Sequence, residues 1–116
     1  MSSKSATVLP LRDYRAGRRP QFFTRPELNQ LLGLYSRNVT RGVWRDYAID
    51  HRDGRALFSV FRHTHESPLY TIVKSAPSSS TPPEFVVMSG RQRLQAGPTL
   101  GEALDFFRSK LSLVAS

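Results

Sequence analysis

Two aspartates form the simplest acid–base pair that the sequence offers. Asp46 and Asp50 lie four positions apart in the stretch WRDYAID, so both fall on one face of a β-strand. Paired carboxylates can divide general acid and base roles when their environments separate their pKa values. On one strand, however, these two lie roughly 13 Å apart, which is too far for direct coupling. A structural role is therefore favoured: Asp46 pairs with an arginine and Asp50 leads into a turn.

Three histidines are the other candidates for chemistry. His63 and His65 would share a face if a strand continued through them, and Glu66 is adjacent, but this spacing matches no standard zinc pattern. The chain has no cysteine, which excludes disulfides, thiol catalysis and thiolate metal sites. There is no glycine-rich phosphate loop. No Ser-His-Asp triad can be assigned from His51 or the other two isolated histidines. The sequence predicts no catalytic residue, no metal and no cofactor, and it leaves enzymatic activity open.

Arginines with interleaved aromatic residues are the best hint of a polyanionic partner. Arginine neutralises phosphates and stacks on bases, and aromatic rings stack as well. Tyr14 and Trp44 lie among these arginines, although a solvated basic leader and a core tryptophan explain the same pattern. The nucleic-acid-binding candidates are Arg12, Arg15, Arg18, Arg19, Arg41, Arg45, Arg91 and Arg93.

The net charge of +8 is unevenly distributed. Residues 1–25 hold six basic and one acidic side chain, whereas residues 26–116 hold 11 basic and 8 acidic ones. The first 20 residues are also rich in Ser, Arg and Pro and lack periodicity. We therefore predict a flexible basic leader over residues 1–20 and a single domain over residues 21–116.

Three phenylalanines are candidates for a protein-interaction patch. Phe22 and Phe23 precede the first predicted helix, and Phe106 lies off the main apolar stripe of the last one. If they stay exposed, they would bind a protein partner or a second copy of the chain. Alternatively, Phe23 is only a hydrophobic staple and Phe106 packs on a sheet edge. A non-catalytic interaction or structural module is favoured over nucleic-acid binding, because the folded part is almost neutral.

A β-hairpin is the element around which the rest is organised. Runs of aromatic and β-branched residues at 44–51 and 55–62 flank Asp53-Gly54, a strong hairpin turn signal. Neither run has a wholly polar face, so both strands are expected inside the sheet rather than at its edge. Further strands are predicted at 69–74 and 84–88, and a short fifth at 91–95.

A helix is predicted on either side of the strands. Thr24 and Glu27 form a capping box for a helix at 25–37, and Thr99 and Glu102 form a second one for a helix at 100–113. The apolar stripe of the second helix comprises Leu100, Leu104, Phe107, Leu111 and Val114. The predicted fold class is α+β: an antiparallel four- to five-stranded meander with one helix before and one after it, both on one face of the sheet.

The stretches WRDYAID, FSVFRH and PLYTIVK, preceded by FFTRPELNQLLGLYSR, also carry a family resemblance. From about Phe22 to the final helix, the chain resembles a family of small bacterial proteins classed as a domain of unknown function. The resemblance implies a bacterial, intracellular, single-domain protein and brings no activity, cofactor or catalytic residue. No apolar run is long enough to span a membrane and there is no secretory signal, so a cytoplasmic location is expected.

Overall fold

Two helices flank five strands along the chain. The computed structural model describes residues 20–63, 67–76, 78 and 80–115, so the predicted leader lies outside the described residues except for Pro20. The elements are α1 (Arg25–Thr40), β1 (Asp46–Arg52), β2 (Arg55–Phe61), β3 (Tyr70–Ser75), β4 (Glu84–Ser89), β5 (Gln92–Gly97) and α2 (Leu100–Ala115). The predicted order of elements and the predicted fifth strand are confirmed.

The strands form one antiparallel sheet in the order β1-β2-β3-β4-β5. The predicted α+β class with an antiparallel meander is therefore confirmed. In a meander each strand pairs with its neighbours in the chain, so the first and last strands must lie at the edges. The expectation that both hairpin strands lie inside the sheet is right for β2 and wrong for β1.

The β1–β2 turn is set by two residues of positive φ. Asp53 has φ of 54° and Gly54 has φ of 78°, as a type I′ turn requires, and Arg52 lies opposite Arg55 across it. Asp-Gly suits this turn because glycine adopts positive φ without a steric penalty and aspartate tolerates it. The turn fixes the register of the whole hairpin.

The first helix begins at the predicted capping box but ends later than predicted. The Thr24 amide donates to Oε1 of Glu27 at 2.8 Å, and the Glu27 amide donates to the Thr24 hydroxyl at 3.2 Å. Asn38, predicted as the stop, lies inside the helix and is fully buried, with Nδ2 donating to the carbonyl oxygen of Leu34 at 2.9 Å. The main-chain carbonyl oxygen of Asn38 accepts from the amides of Val43 and Trp44, which fixes the chain entering β1.

The last helix is capped by Thr99, whose hydroxyl accepts from the Glu102 amide at 3.2 Å. Only this half of the predicted capping box is found in the part of the chain that the structure describes. The buried positions of α2 are Leu100, Ala103 and Phe107, whereas Leu104 is only partly buried. The side chains of the remaining stripe positions, Leu111 and Val114, lie outside the described residues.

Both helices pack on the same face of the sheet, as expected. Tyr70 and Lys74 lie on one side of β3; Tyr70 contacts Phe107 of α2, and Lys74 contacts Glu27 of α1. A single buried cluster joins this sheet face to the two helices. Trp44 belongs to it, with its ring 5.5 Å from that of Phe107 and only 2% of its surface exposed. The opposite face of the sheet is covered by neither helix.

Candidate functional site

The large exposed apolar side chains concentrate along the first strand. Phe22, Tyr47 and Ile49 are 48%, 38% and 42% exposed. Alternation along the strand places Tyr47, Ile49 and His51 on the helix-bearing face, and the ring of Phe22 lies 4.8 Å from that of His51. We call Phe22, Tyr47, Ile49 and His51 the β1 strip. Its members are exposed because β1 is an edge strand that α1 covers only in part.

Specific contacts hold the β1 strip in place. The amide of Gln21 donates to the carbonyl oxygen of Gly54 at 2.8 Å, which ties the segment before α1 to the hairpin turn. Lys74 Nζ donates to the carbonyl oxygen of Phe22 at 2.8 Å. At the other end, the ring of Tyr47 stacks on Phe58 at 5.4 Å and meets Tyr35 of α1 edge-on at 4.8 Å. Hydrogen bonds and ring contacts therefore anchor both ends of the strip.

The outer edge of β1 carries main-chain groups that no described strand pairs. In a two-residue hairpin the residues flanking the turn exchange both main-chain hydrogen bonds, here Arg52 and Arg55. Alternate residues counted back from Arg52 therefore face β2, and the amides and carbonyls of Tyr47, Ile49 and His51 point outward. The amide of Arg45 turns inward again, donating to the carbonyl oxygen of Phe61. The free edge thus runs from Tyr47 to His51.

Two carboxylates partly cover this edge. Oδ1 of Asp46 accepts from the Tyr47 amide and Oδ1 of Asp50 accepts from the His51 amide, both at 2.8 Å. The pKa of Asp50 is lowered below its ordinary value, mainly by the hydrogen bond that the His51 amide donates and then by the hydrogen bond from Arg52 at 2.9 Å. Asp46 was predicted to pair with an arginine; its partner is instead the neighbouring amide. The two aspartates protect the edge rather than forming an acid–base pair.

The three phenylalanines predicted as an interaction patch lie in different environments. Phe22 is exposed and belongs to the β1 strip. Phe23 is only 8% exposed and packs in the core, so it cannot contribute to a surface patch. Phe106 is half-buried, with its ring 5.8 Å from Tyr70 and 5.1 Å from Phe107.

Some of the predicted arginines share one end of the sheet. Because the strands alternate in direction, the start of β1, the end of β2 and the β4–β5 turn lie at the same end of the sheet. The predicted residues Arg41, Arg45 and Arg91 are exposed there, and so is Arg62, which was not predicted. No described carboxylate forms an ion pair with any of these four. We call these four residues the arginine end.

Arg93, which was also predicted to bind nucleic acid, does not extend this surface. Arg93 instead points along the open face of the sheet toward Glu84, 3.5 Å away. Trp44 is buried, so it cannot stack on a base. Arg12, Arg15, Arg18 and Arg19 lie outside the described residues.

Comparison with known protein families decides the classification. The sequence profile of the family described as Protein of unknown function (DUF2794) matches residues 21–98, which hold the β1 strip and all five strands. The chain belongs to this family. No curated protein and no solved structure matches this chain. The resemblance to a domain of unknown function is therefore confirmed, and the matched region ends just before α2.

Neither metal binding nor membrane spanning is indicated in the described part of this DUF2794 chain. Within the described ranges, no group of three or more potential metal-ligating side chains occurs. The ring of His51 contacts that of Phe22 in a tilted arrangement, His63 follows the end of β2, and His65 lies outside the described residues. Neither helix of the described chain is long and apolar enough to cross a membrane.

Three members of the β1 strip, Tyr47, Ile49 and His51, were not predicted as interaction residues, because β1 was expected inside the sheet. A usable signal was present. In a meander the first strand has a neighbour on one side only, so its apolar side chains are less covered than those of β2. The DUF2794 domain thus presents two distinct surfaces, the β1 strip and the arginine end.

Proposed function

We propose that this domain is a non-catalytic protein-interaction module that binds its partner along β1. The observation that carries the proposal is the coincidence of the β1 strip with the free main-chain edge from Tyr47 to His51. Exposed apolar side chains next to unpaired strand edges suit the addition of a further strand, with main-chain bonds giving affinity and side chains giving specificity. Protein partners are favoured because the strip is aromatic and aliphatic rather than basic.

The anchoring of the strip supports the same proposal. Phe22 is held through its carbonyl oxygen by Lys74, and Tyr47 is held between Phe58 and Tyr35. Side chains fixed before binding lose less conformational entropy when the partner arrives. A surface of this kind binds without folding of its own residues.

Site-specific photo-crosslinking in the cells that make the protein tests the proposal. A photoreactive amino acid replaces Ile49, and the matched control replaces Val39, which is 41% exposed on α1 against 42% for Ile49. We expect protein adducts at position 49 that exceed those at position 39. Equal adduct yields at the two positions, or none at either, would overturn the proposal.

Nucleic-acid binding is the second candidate function, and the arginine end favours it. Arg41, Arg45, Arg62 and Arg91 are exposed, lie at one end of the sheet and have no carboxylate partner in the described chain. Such a group would attract phosphates, with affinity that falls steeply as salt rises. The basic residues before Pro20 would add to the attraction.

Fluorescence anisotropy with labelled DNA and RNA oligonucleotides at low and near-physiological salt tests this second candidate. The triple variant Arg45→Gln, Arg62→Gln, Arg91→Gln should weaken binding, whereas Arg52→Gln with Arg55→Gln, at the opposite end of the sheet, should not. Deletion of residues 1–19 measures how much the predicted leader contributes to the nucleic-acid affinity. No binding by the full chain at low salt would remove this candidate.

A further inference from the structure

We infer that the partner strand is β1 of a second copy of this chain, paired antiparallel with Ile49 opposite Ile49 across a two-fold axis. The inference rests on the proposed function, since it names the partner for the same edge. It would join two five-stranded sheets into one of ten strands. Three features of β1 carry it: the direction of its main-chain groups, the order of its charges and the position of its one uncapped amide.

The main-chain groups of β1 permit this register. Outward amides and carbonyls belong to Tyr47, Ile49 and His51, so only registers that place these residues opposite one another form hydrogen bonds. With Ile49 on the axis, Tyr47 lies opposite His51 of the second copy, and each of the three residues donates one bond and accepts one. A two-fold axis pairs the same surface of both copies, as an isologous interface requires.

The side chains of β1 are self-complementary in this register. On the open face, Asp46 lies opposite Arg52 of the second copy on both sides of the axis. On the helix-bearing face, the two Ile49 side chains meet at the axis and the pairs of Tyr47 with His51 flank them. Opposite charges and aromatic pairs directly across an antiparallel ladder are stabilising. The β1 strips of the two copies become one continuous surface.

The adjacent registers lack this complementarity. Placing Tyr47 opposite Ile49 brings Asp46 opposite Asp50 on both sides of the axis. Placing Ile49 opposite His51 brings the two Asp50 carboxylates opposite each other. Like charges directly opposite on a ladder are destabilising. Among these three registers, the order of charges along β1 therefore favours the one with Ile49 on the axis.

The two edge carboxylates fit the same arrangement. In the single chain, Asp46 and Asp50 accept from the amides of Tyr47 and His51, which hinders unrelated strands from adding to the edge. The amide of Ile49, between them, is left without such a cap and lies on the axis. When a second copy pairs, its carbonyls replace the caps, and Asp46 becomes available to Arg52 of that copy. The carbonyls of an unrelated strand would also replace the caps, but without this arginine that strand would leave the displaced Asp46 carboxylate without a partner.

A cysteine scan of the purified full chain tests the register directly, because the natural chain has no cysteine. Single cysteines replace residues 47, 48, 49, 50 and 51 in turn, and Val39→Cys is the exposed control outside the interface. Residues directly opposite in a hydrogen-bonded antiparallel pair have Cα atoms about 5.5 Å apart, within disulfide range. Disulfide-linked dimer should form fastest at Ile49→Cys and slowest at Val39→Cys. Fastest linkage at another position would overturn the register.

Sedimentation equilibrium of cysteine-free variants tests the charge pairing. Asp46→Arg should raise the dimer dissociation constant about tenfold, because it places arginine opposite Arg52 twice and like charges directly opposite on a ladder are destabilising. Adding Arg52→Asp should restore much of the affinity by exchanging the two charges. Failure of the double variant to recover would overturn the Asp46–Arg52 pairing.

The outcomes separate this inference from the proposed function. A purified chain that stays monomeric, combined with position-49 adducts to other proteins in cells, would overturn the inference and leave the interaction module standing. A monomer that also gives no excess of adducts at position 49 over position 39 would overturn both. Adducts at position 49 that consist of two copies of this chain would support both.

Discussion

The ammonium group of Lys74 lies 2.9 Å from Oε1 of Glu27, with 8% and 18% of the two side chains exposed. The same carboxylate oxygen accepts from the Thr24 amide, and the same ammonium donates to the carbonyl oxygen of Phe22. One buried ion pair thus joins the middle strand of the sheet to the capping box of α1. It also fixes the backbone of Phe22, a member of the β1 strip.

Removing the charge of Glu27 should therefore be costly. Glu27→Gln keeps the capping box but leaves the Lys74 ammonium buried without a carboxylate, and we expect a loss of about 3 kcal/mol in the free energy of unfolding. The control is Glu84→Gln, which breaks the exposed Arg93 pair at 3.5 Å and should change stability by less than about 1 kcal/mol. Urea unfolding of both variants measures the difference. Similar losses of unfolding free energy in the two variants would show that the buried pair contributes no more to stability than the exposed one.

Two glycines near α2 should respond to alanine with opposite signs. A Cβ at Gly97 would lie 2.8 Å from Cβ of Glu102, so Gly97→Ala forces the end of β5 away from the helix and should destabilise by about 1–3 kcal/mol. A Cβ at Gly101 meets nothing within 4 Å, so Gly101→Ala should stabilise by up to about 1 kcal/mol. Thermal melts compare the two. Destabilisation by both would argue against the close approach at Gly97.

Truncating Phe107 should destabilise the domain more than truncating Leu104. Phe107 is fully buried against Trp44 and Tyr70, whereas Leu104 is partly exposed. Phe107→Ala should cost about 3–5 kcal/mol through the cavity that it leaves, and Leu104→Ala should cost less. Denaturation followed by the emission of Trp44, the one tryptophan of the chain, reports both. An equal or larger loss at Leu104 would contradict the packing of α2.

The contribution of Asp50 to stability should depend on pH in the acid range. Its pKa is lowered in the folded state, chiefly by the His51 amide and then by Arg52, so the ionised carboxylate stabilises the fold. This contribution is fully present above the unfolded pKa of about 3.9 and is lost as pH falls through the lower folded value. The difference in unfolding free energy between the natural chain and Asp50→Asn should therefore shrink toward zero in acid.

Urea melts at a series of pH values measure that difference, and an NMR titration of the Asp50 carboxyl group gives its folded pKa directly. A folded pKa at or above the ordinary value for aspartate would contradict the prediction. A difference that stays constant through the acid range would contradict it as well.

Local patterns in the sequence determined most of the secondary structure. Thr24 with Glu27 marked the start of α1, and Asp53-Gly54 marked the hairpin turn, because caps and tight turns depend on residues only a few positions apart. Alternation and helical spacing located all five strands and both helices to within a few residues. The family resemblance was likewise carried by contiguous stretches of sequence.

Tertiary structure alone decided which of these residues are exposed. Tyr47 and Phe58 both lie on hairpin strands, yet the first is exposed and the second is buried, because β2 has a strand on each side and β1 has only one. Phe22 and Phe23 are adjacent, but only Phe23 points into the core. Burial depends on what long-range packing places over each side chain, and no local pattern contains that information. The β1 strip and the arginine end therefore became visible only when the chain was folded.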